Sequence, residues 1–346
     1  MVMARQYLGF LLALAVGIVG LSSCGQNRNK PVEVPEEPPD ENEVSAPEPV
    51  PFRCPLDGTA VDEEVLGLRA VAVSVDNHPE ARPQAGLSEA CLVYELPVEG
   101  GLTRYLAVYL HGLPETVGPV RSARPYFLDY ASGHEAVLVH AGASPAASQE
   151  MEKMRFPSLN DMKGDRVFWR SPDRNMPHNL YSGMTKIRDV LVSMGMEGVT
   201  TSSHPFEVGK APRGAPSESL SIQYPGDGPK VEFTYDSAGL HYRRSVNGQP
   251  DTDLAGGDPL LARNVVVQFV KAWIIPGDPE GRMDVESWGE GKLLAFSEGC
   301  VREGTWKRQD RLAPLVFLDE AGESLVLVPG QTWVEVVHDK VVVKYQ

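Results

Sequence analysis

Little in this 346-residue chain points to a metal centre, a hydrolase serine or a nucleic-acid surface. There is no CxxC, HExxH or HxH, and the 8 histidines are scattered, so no ligand spacing for a metal or cofactor stands out. No GxSxG elbow is present to expose a nucleophilic serine. Positive charge is short: 32 Lys and Arg stand against 47 Asp and Glu, a formal net charge of −15. Such a body repels a phosphate backbone, so no nucleic-acid partner is expected. No tandem repeat is found. Cysteine is scarce as well, and beyond Cys24 only Cys54, Cys91 and Cys300 occur. Cys91, inside the strand-like ACLVYEL, reads as a small buried apolar residue, while one bridge among the others stays open.

What is present begins with an address label. Residues 1–23 carry Arg5 and then an apolar run, Tyr7 to Leu21, that is short for a membrane span. LSSC, ending at Cys24, resembles a bacterial lipobox, which would make Cys24 a lipidated residue and place the remainder outside the cytoplasmic membrane. Residues 24–55 then hold a stalk rich in Pro and Glu with almost nothing to bury, and such a segment stays extended.

The remaining residues suffice for two modest domains, 60–200 and 230–346, joined by a Pro-, Gly- and Ser-rich linker at 201–229. In the first, the runs 69–75, 90–96, 103–110 and 136–140 read as strands, and 126–131 reads as a short helix. After HAGASP a second helix is expected, with Ser144 as N-cap and Pro145 at its first position. Chemistry concentrates in ELPVEGGLTRYLAVYLHGLPETVGPVRSAR, where Arg104, Arg121 and Arg124 meet Glu95 and Glu99 around a Gly100–Gly101 turn. Three guanidinium forks in one hairpin suit a phosphate or a carboxylate, and an internal Arg–Glu network is the competing reading. The loop FWRSPDRNMPHNLYS adds Arg170, Arg174, His178 and Asn179 in a stretch whose charge balance is reversed relative to the chain. The second domain shows short β-like runs at 231–235, 239–243, 264–275, 291–297, 300–307, 314–318, 324–328 and 333–337, the pattern of a small, mainly antiparallel sandwich or barrel. Trp306 and Trp333 read as core, and Trp288 completes a possible sugar-stacking set.

DNHPEARPQAGLSEACLVYE, EGGLTRYLAVY, GPVRSAR, HAGASP, RNMPHNLYS and GQTWVEVV together resemble the YerB-type bacterial lipoproteins, a two-part domain family without an established activity. The resemblance implies an α+β protein, with an N-terminal mixed α/β domain followed by a smaller β domain. It includes Asn77, His78, Glu95, Glu99, Arg104, Arg121, Arg124, His140, Ser144, His178 and Asn179 among its motif positions. A weaker likeness to LytR-CpsA-Psr transferases rests on the spacing of the three arginines, but the aspartates of that layout are missing after Arg104 and Arg124. The expectation is therefore a membrane-anchored protein binding an anionic cell-wall or glycan ligand. Its donors would be Arg104, Arg121 and Arg124, flanked by Asn77, His140 and Ser144, with Arg170, Arg174, His178 and Asn179 closing over the ligand. Glu95 or Glu99 would orient the arginines or act as a base. An enzyme of lipid-linked glycopolymer and a protein-binding scaffold are the alternatives.

Overall fold

The computed structural model describes residues 52–198, 214–226 and 228–346. The expected signal segment, Cys24, the stalk as far as residue 51 and positions 201–213 of the linker lie outside the described residues.

The first segment contains β1 (Phe52–Arg53), β2 (Ala60–Val61), β3 (Val71–Asp76), β4 (Leu92–Pro97), β5 (Thr103–Tyr109), α1 (Pro125–Ser132), β6 (Val137–His140), α2 (Pro145–Met154), β7 (Ser158–Asn160), β8 (Phe168–Arg170), β9 (Leu180–Ser182) and α3 (Met184–Ser193). β3, β4, β5 and β6 are buried at every position. Their near-continuous apolar runs suit strands covered on both faces, which do not alternate. Ser144 caps α2 by accepting from the Ala147 N–H at 3.2 Å, and Pro145 enters where no helical N–H is needed.

The second segment supplies β10 (Ala215–Pro216), β11 (Ser219–Gln223), β12 (Lys230–Asp236), β13 (His241–Val246), β14 (Gln249–Pro250), β15 (Leu261–Ala262), β16 (Asn264–Phe269), β17 (Ala272–Ile274), β18 (Met283–Val285), β19 (Gly289–Ser297), β20 (Cys300–Arg308), β21 (Val316–Asp319), β22 (Thr332–Val337) and β23 (Val342–Tyr345). The expected single run 264–275 is thus two strands, and 324–328 forms isolated bridges, one from Ser324 to Leu318, rather than a strand.

One large sheet runs through both segments in the order β10-β20-β19-β16-β22-β4-β5-β3-β6-β7, with β21 beside β20. Its seam is the parallel pairing of β22 with β4, from Thr332 opposite Leu92 to Glu335 opposite Glu95. β22 is also parallel to β16, where antiparallel pairing predominates elsewhere in the second segment. A six-stranded antiparallel sheet, β14-β13-β12-β11-β23 with β15 beside β13, lies over one face. Leu220, Ile222, Phe233 and Tyr242 of that sheet join Val73, Tyr105 and Trp333 in one core. On the opposite face Leu106, Val108 and Val334 pack with Phe127 and Leu128 of α1. Trp306 and Trp333 are core residues, and Trp288 is exposed. The whole is largely β with some helix, an α+β arrangement.

Candidate functional site

β3, β6 and β7 run parallel, so Asp76, His140 and Asn160 mark their carboxyl ends along one edge. Ligands in open α/β sheets collect outside such an edge. Here the GPVRSAR segment crosses it. The Arg121 N–H donates to Ser74 O at 2.8 Å, the Ala141 N–H to Arg121 O at 3.0 Å, and the Ala123 N–H to Gly142 O at 3.1 Å. On its other side the β8–β9 hairpin is hydrogen-bonded to the same segment through Val120 N and Leu180 O, 2.6 Å apart. A Cβ on Gly118 would stand 2.9 Å from Leu180 O, so this close approach needs glycine. The two motifs that the sequence keeps far apart are thereby laid against each other.

Three guanidiniums meet two carboxylates here. Arg124 makes a two-pronged pair with Glu99, from Nε at 3.1 Å and from Nη2, and its Nη1 donates to Ala123 O at 3.0 Å. Arg104 donates to Ser122 O at 2.5 Å, stands 3.9 Å from Glu99, and keeps a buried Nε with no partner. Arg121 pairs with Asp76 at 3.1 Å and is about a third exposed. Burial, reinforced by the neighbouring Arg124 charge, pulls Arg104 down to about 10. Burial pushes the Glu99 carboxyl up, but the bonded Arg124 and nearby Arg104 outweigh it and hold the group below its ordinary range.

His178 reaches the same carboxylate. Its Nδ1 lies 2.7 Å from Asp76 Oδ2, and its ring stacks on His78 at 4.6 Å. Asp76 is the residue that sequence reasoning missed; it ends an apolar strand directly before the Asn77–His78 motif, and its register partner is Arg104. His78, Glu80 and His178 bring one ligand atom each within 4.8 Å of one another, the donors a divalent cation would find beside the arginines.

The other expected donors are engaged within the protein. Arg170 donates to Asn179 Oδ1 at 2.9 Å, and Arg174 donates to Ala81 O and Pro83 O at 2.5 and 2.6 Å. Asn179 donates to Ser171 O and Arg174 O. These contacts brace the loop against the Asn77 turn, where the expectation had the three side chains closing over a ligand. Asn77 is buried, donating to Glu95 Oε1 and Thr103 Oγ1 while accepting from Arg82 and Gln84. Ser144 is the helix cap already described. Glu95 touches none of the three arginines: it accepts from Arg244 of β13, deep between the sheets. Of the two glutamates, Glu99 is the one in contact with the cluster, at Arg104 and Arg124, while Arg121 is held by Asp76.

His140 is fully buried, with Nδ1 2.6 Å from Gly142 O and Nε2 without a partner. Nδ1 therefore carries the proton. Burial lowers its affinity for a second one. A histidine depressed in the folded state contributes stability above its unfolded pKa, near 6.5, and that contribution is lost as pH falls through the folded value. Glu99 acts the same way from about pH 4.3 downward. Between pH 7 and 4 the His140 contribution lowers the urea midpoint, so His140→Gln should lose less stability than the parent over that range. An unchanged pH profile in the variant would refute the assignment.

Beside the Glu99–Gly101 turn lies an apolar hollow of about 370 Å³, bordered by Val98, Leu102, Trp273, Ile274 and Met283.

A mixed sheet with guanidiniums gathered at its parallel edge, and a second sheet closed over one face, defines a two-segment α+β protein. Residues 56–197 match the N-terminal domain, and residues 220–334 the C-terminal domain, described as Protein of unknown function (DUF3048). The chain is 36% identical over 294 residues to the protein named Putative lipoprotein YerB of Bacillus subtilis (strain 168), covering 83% of this chain and 87% of that one. The crystal structure of the YerB protein from Bacillus subtilis superposes with a TM-score of 0.77 at 34% identity, over 85% of this chain and 99% of that one. The chain belongs to the YerB-type family.

Proposed function

We propose that this protein is a lipoprotein anchored outside the cytoplasmic membrane through Cys24, and that its arginine cluster binds a cell-envelope ligand bearing phosphate or carboxylate. The observation that carries the reading is the imbalance at the sheet edge. Among the described residues the carboxylates paired with Arg104, Arg121 and Arg124 are Asp76 and Glu99, three positive groups against two negative, with Arg104 Nε unpartnered and buried. A buried donor without a partner is costly, and an anion would satisfy it. The nearby apolar hollow supports a ligand that also carries an apolar part.

Thermal unfolding of the full-length chain in detergent, with and without inorganic pyrophosphate, tests this. A ligand at 100 times its Kd adds about 2.7 kcal/mol of stability. Arg121→Ala removes one partner of the buried Asp76, which keeps His178, and should itself cost about 1–3 kcal/mol. It is expected to abolish the pyrophosphate effect. No stabilisation of the parent by pyrophosphate or citrate, or the same stabilisation in the variant, would leave the arginines as internal braces.

A second reading, an enzyme acting on lipid-linked or wall glycopolymer, draws support from the His78–Glu80–His178 donors beside the anion site. It requires Mg²⁺ or Mn²⁺ to bind there, and a titration in which His178→Ala leaves metal affinity unchanged would remove it.

A further inference from the structure

At the opposite, amino-terminal side of β4, four side chains from three separate stretches converge. Cys54 and Asp57 sit in the tight turn between β1 and β2, Cys91 directly precedes β4, and His111 follows β5. One ligand atom from each lies within 4.8 Å of the other three. The two sulfurs are 3.9 Å apart, and His111 Nε2 is 2.7 Å from Asp57 Oδ2. Cys54, Asp57 and Cys91 are buried, and His111 alone is partly open, with about a third of its side chain exposed.

From these positions we infer that Cys54, Asp57, Cys91 and His111 form a four-ligand structural site for Zn²⁺. Tetrahedral zinc with bonds of about 2.3 Å to sulfur separates its two thiolates by about 3.8 Å, close to the spacing already present. The mixed set of two thiolates, an imidazole and a carboxylate suits a borderline-soft d¹⁰ cation, and four protein donors leave no position for substrate.

The surroundings hold the donors in place, as outer contacts do at metal sites. Thr59 donates from its hydroxyl at 2.6 Å and its N–H at 3.0 Å to Asp57 Oδ1, leaving Oδ2 for the site. The Leu56 N–H points at Cys54 Sγ from 3.4 Å, a contact that favours a thiolate. Gly58, at φ +71°, closes the turn that puts Cys54 and Asp57 on the same side. A disulfide would use the two sulfurs and leave the buried Asp57–His111 pair without a role. With zinc bound, the residues at the amino end of the described body are fastened to the start of β4 and the end of β5.

Co²⁺ titration of the reduced full-length chain in detergent decides the matter. One equivalent should produce thiolate-to-cobalt charge-transfer absorption with tetrahedral d–d bands, and Zn²⁺ should displace it. Cys54→Ser and Cys91→Ser should abolish the absorption, while Cys300→Ser retains it. His111→Ala, at the open side of the site and the least disruptive to folding, should weaken binding by about 10–100-fold or more. Absence of the charge-transfer band in the reduced parent, or its persistence in Cys91→Ser, would overturn the proposal. So would recovery of Cys54 and Cys91 as a disulfide that takes up no cobalt after reduction.

Discussion

Arg244→Leu is expected to destabilise the protein by about 3–5 kcal/mol, read from urea unfolding. Arg244 is fully buried between the two sheets and bonds Glu95 through Nη2 and Asp251 through Nη1. Its guanidinium lies 4.5 Å over the Trp333 ring, with Tyr105 and Phe233 completing an aromatic box. Leucine fills much of the space but leaves two carboxylates in the interior without their cation. The stranded charges add to the lost cation–π contact, which is worth about 2 kcal/mol in a desolvated site. Combining Arg244→Leu with Glu95→Gln should therefore recover part of the loss, as coupled neighbours do. A loss below about 1 kcal/mol for the single variant would show that the buried pair does not hold the sheets together.

Glu95→Gln and Glu335→Gln should behave oppositely although the two residues are register partners across the β22–β4 seam. Glu95 accepts the Arg244 guanidinium, the Thr103 hydroxyl at 2.6 Å and the Asn77 amide at 3.2 Å. Making it neutral leaves Arg244 half-paired and should cost about 3–5 kcal/mol. Among the described residues no Lys, Arg or His forms an ion pair with Glu335, and Arg244 acts on it only at longer range. Burial, then repulsion from Glu95, pushes its carboxyl well above the ordinary range, and Tyr224 donates to its Oε2 at 3.3 Å. Burial and repulsion both favour its protonated form. A carboxyl with a raised folded pKa gives stability that is full below about pH 4.3 and declines as pH rises toward the folded value. Glu335→Gln removes that decline, so the variant should match or exceed the parent at pH 7 and lose its advantage toward pH 4. Equal, large destabilisation by both substitutions would refute this division of charge.

Local signals were legible where a short window decides the structure. The apolar runs of β3, β5 and β6 and the Ser144–Pro145 helix start carry their own instructions, because burial on both faces and capping each act over a few residues. The closeness of Arg104 and Arg124 to Glu99 lies within one 30-residue stretch, whereas Arg121 finds its partner in Asp76, outside it. The internal contacts of Arg170, Arg174 and Asn179 were not legible for a related reason: a loop rich in polar donors looks the same whether they face solvent or, as Arg174 does, the backbone carbonyls of Ala81 and Pro83. The Cys54–Asp57–Cys91–His111 cluster had no recognisable spacing, since its members enter from a turn and two strand ends rather than from one compact motif.

From sequence alone came the α+β character, most elements of the first segment, the acidic surface and the family. Tertiary structure decided the rest: that residue 335 lies beside residue 95, that Arg244 rather than Arg104 neutralises Glu95, and that both segments share one sheet. Strand pairing is written in no single window, because each edge offers the same backbone hydrogen bonds to any partner. The choice among partners falls to the buried side chains that only fit together once the chain has closed on itself.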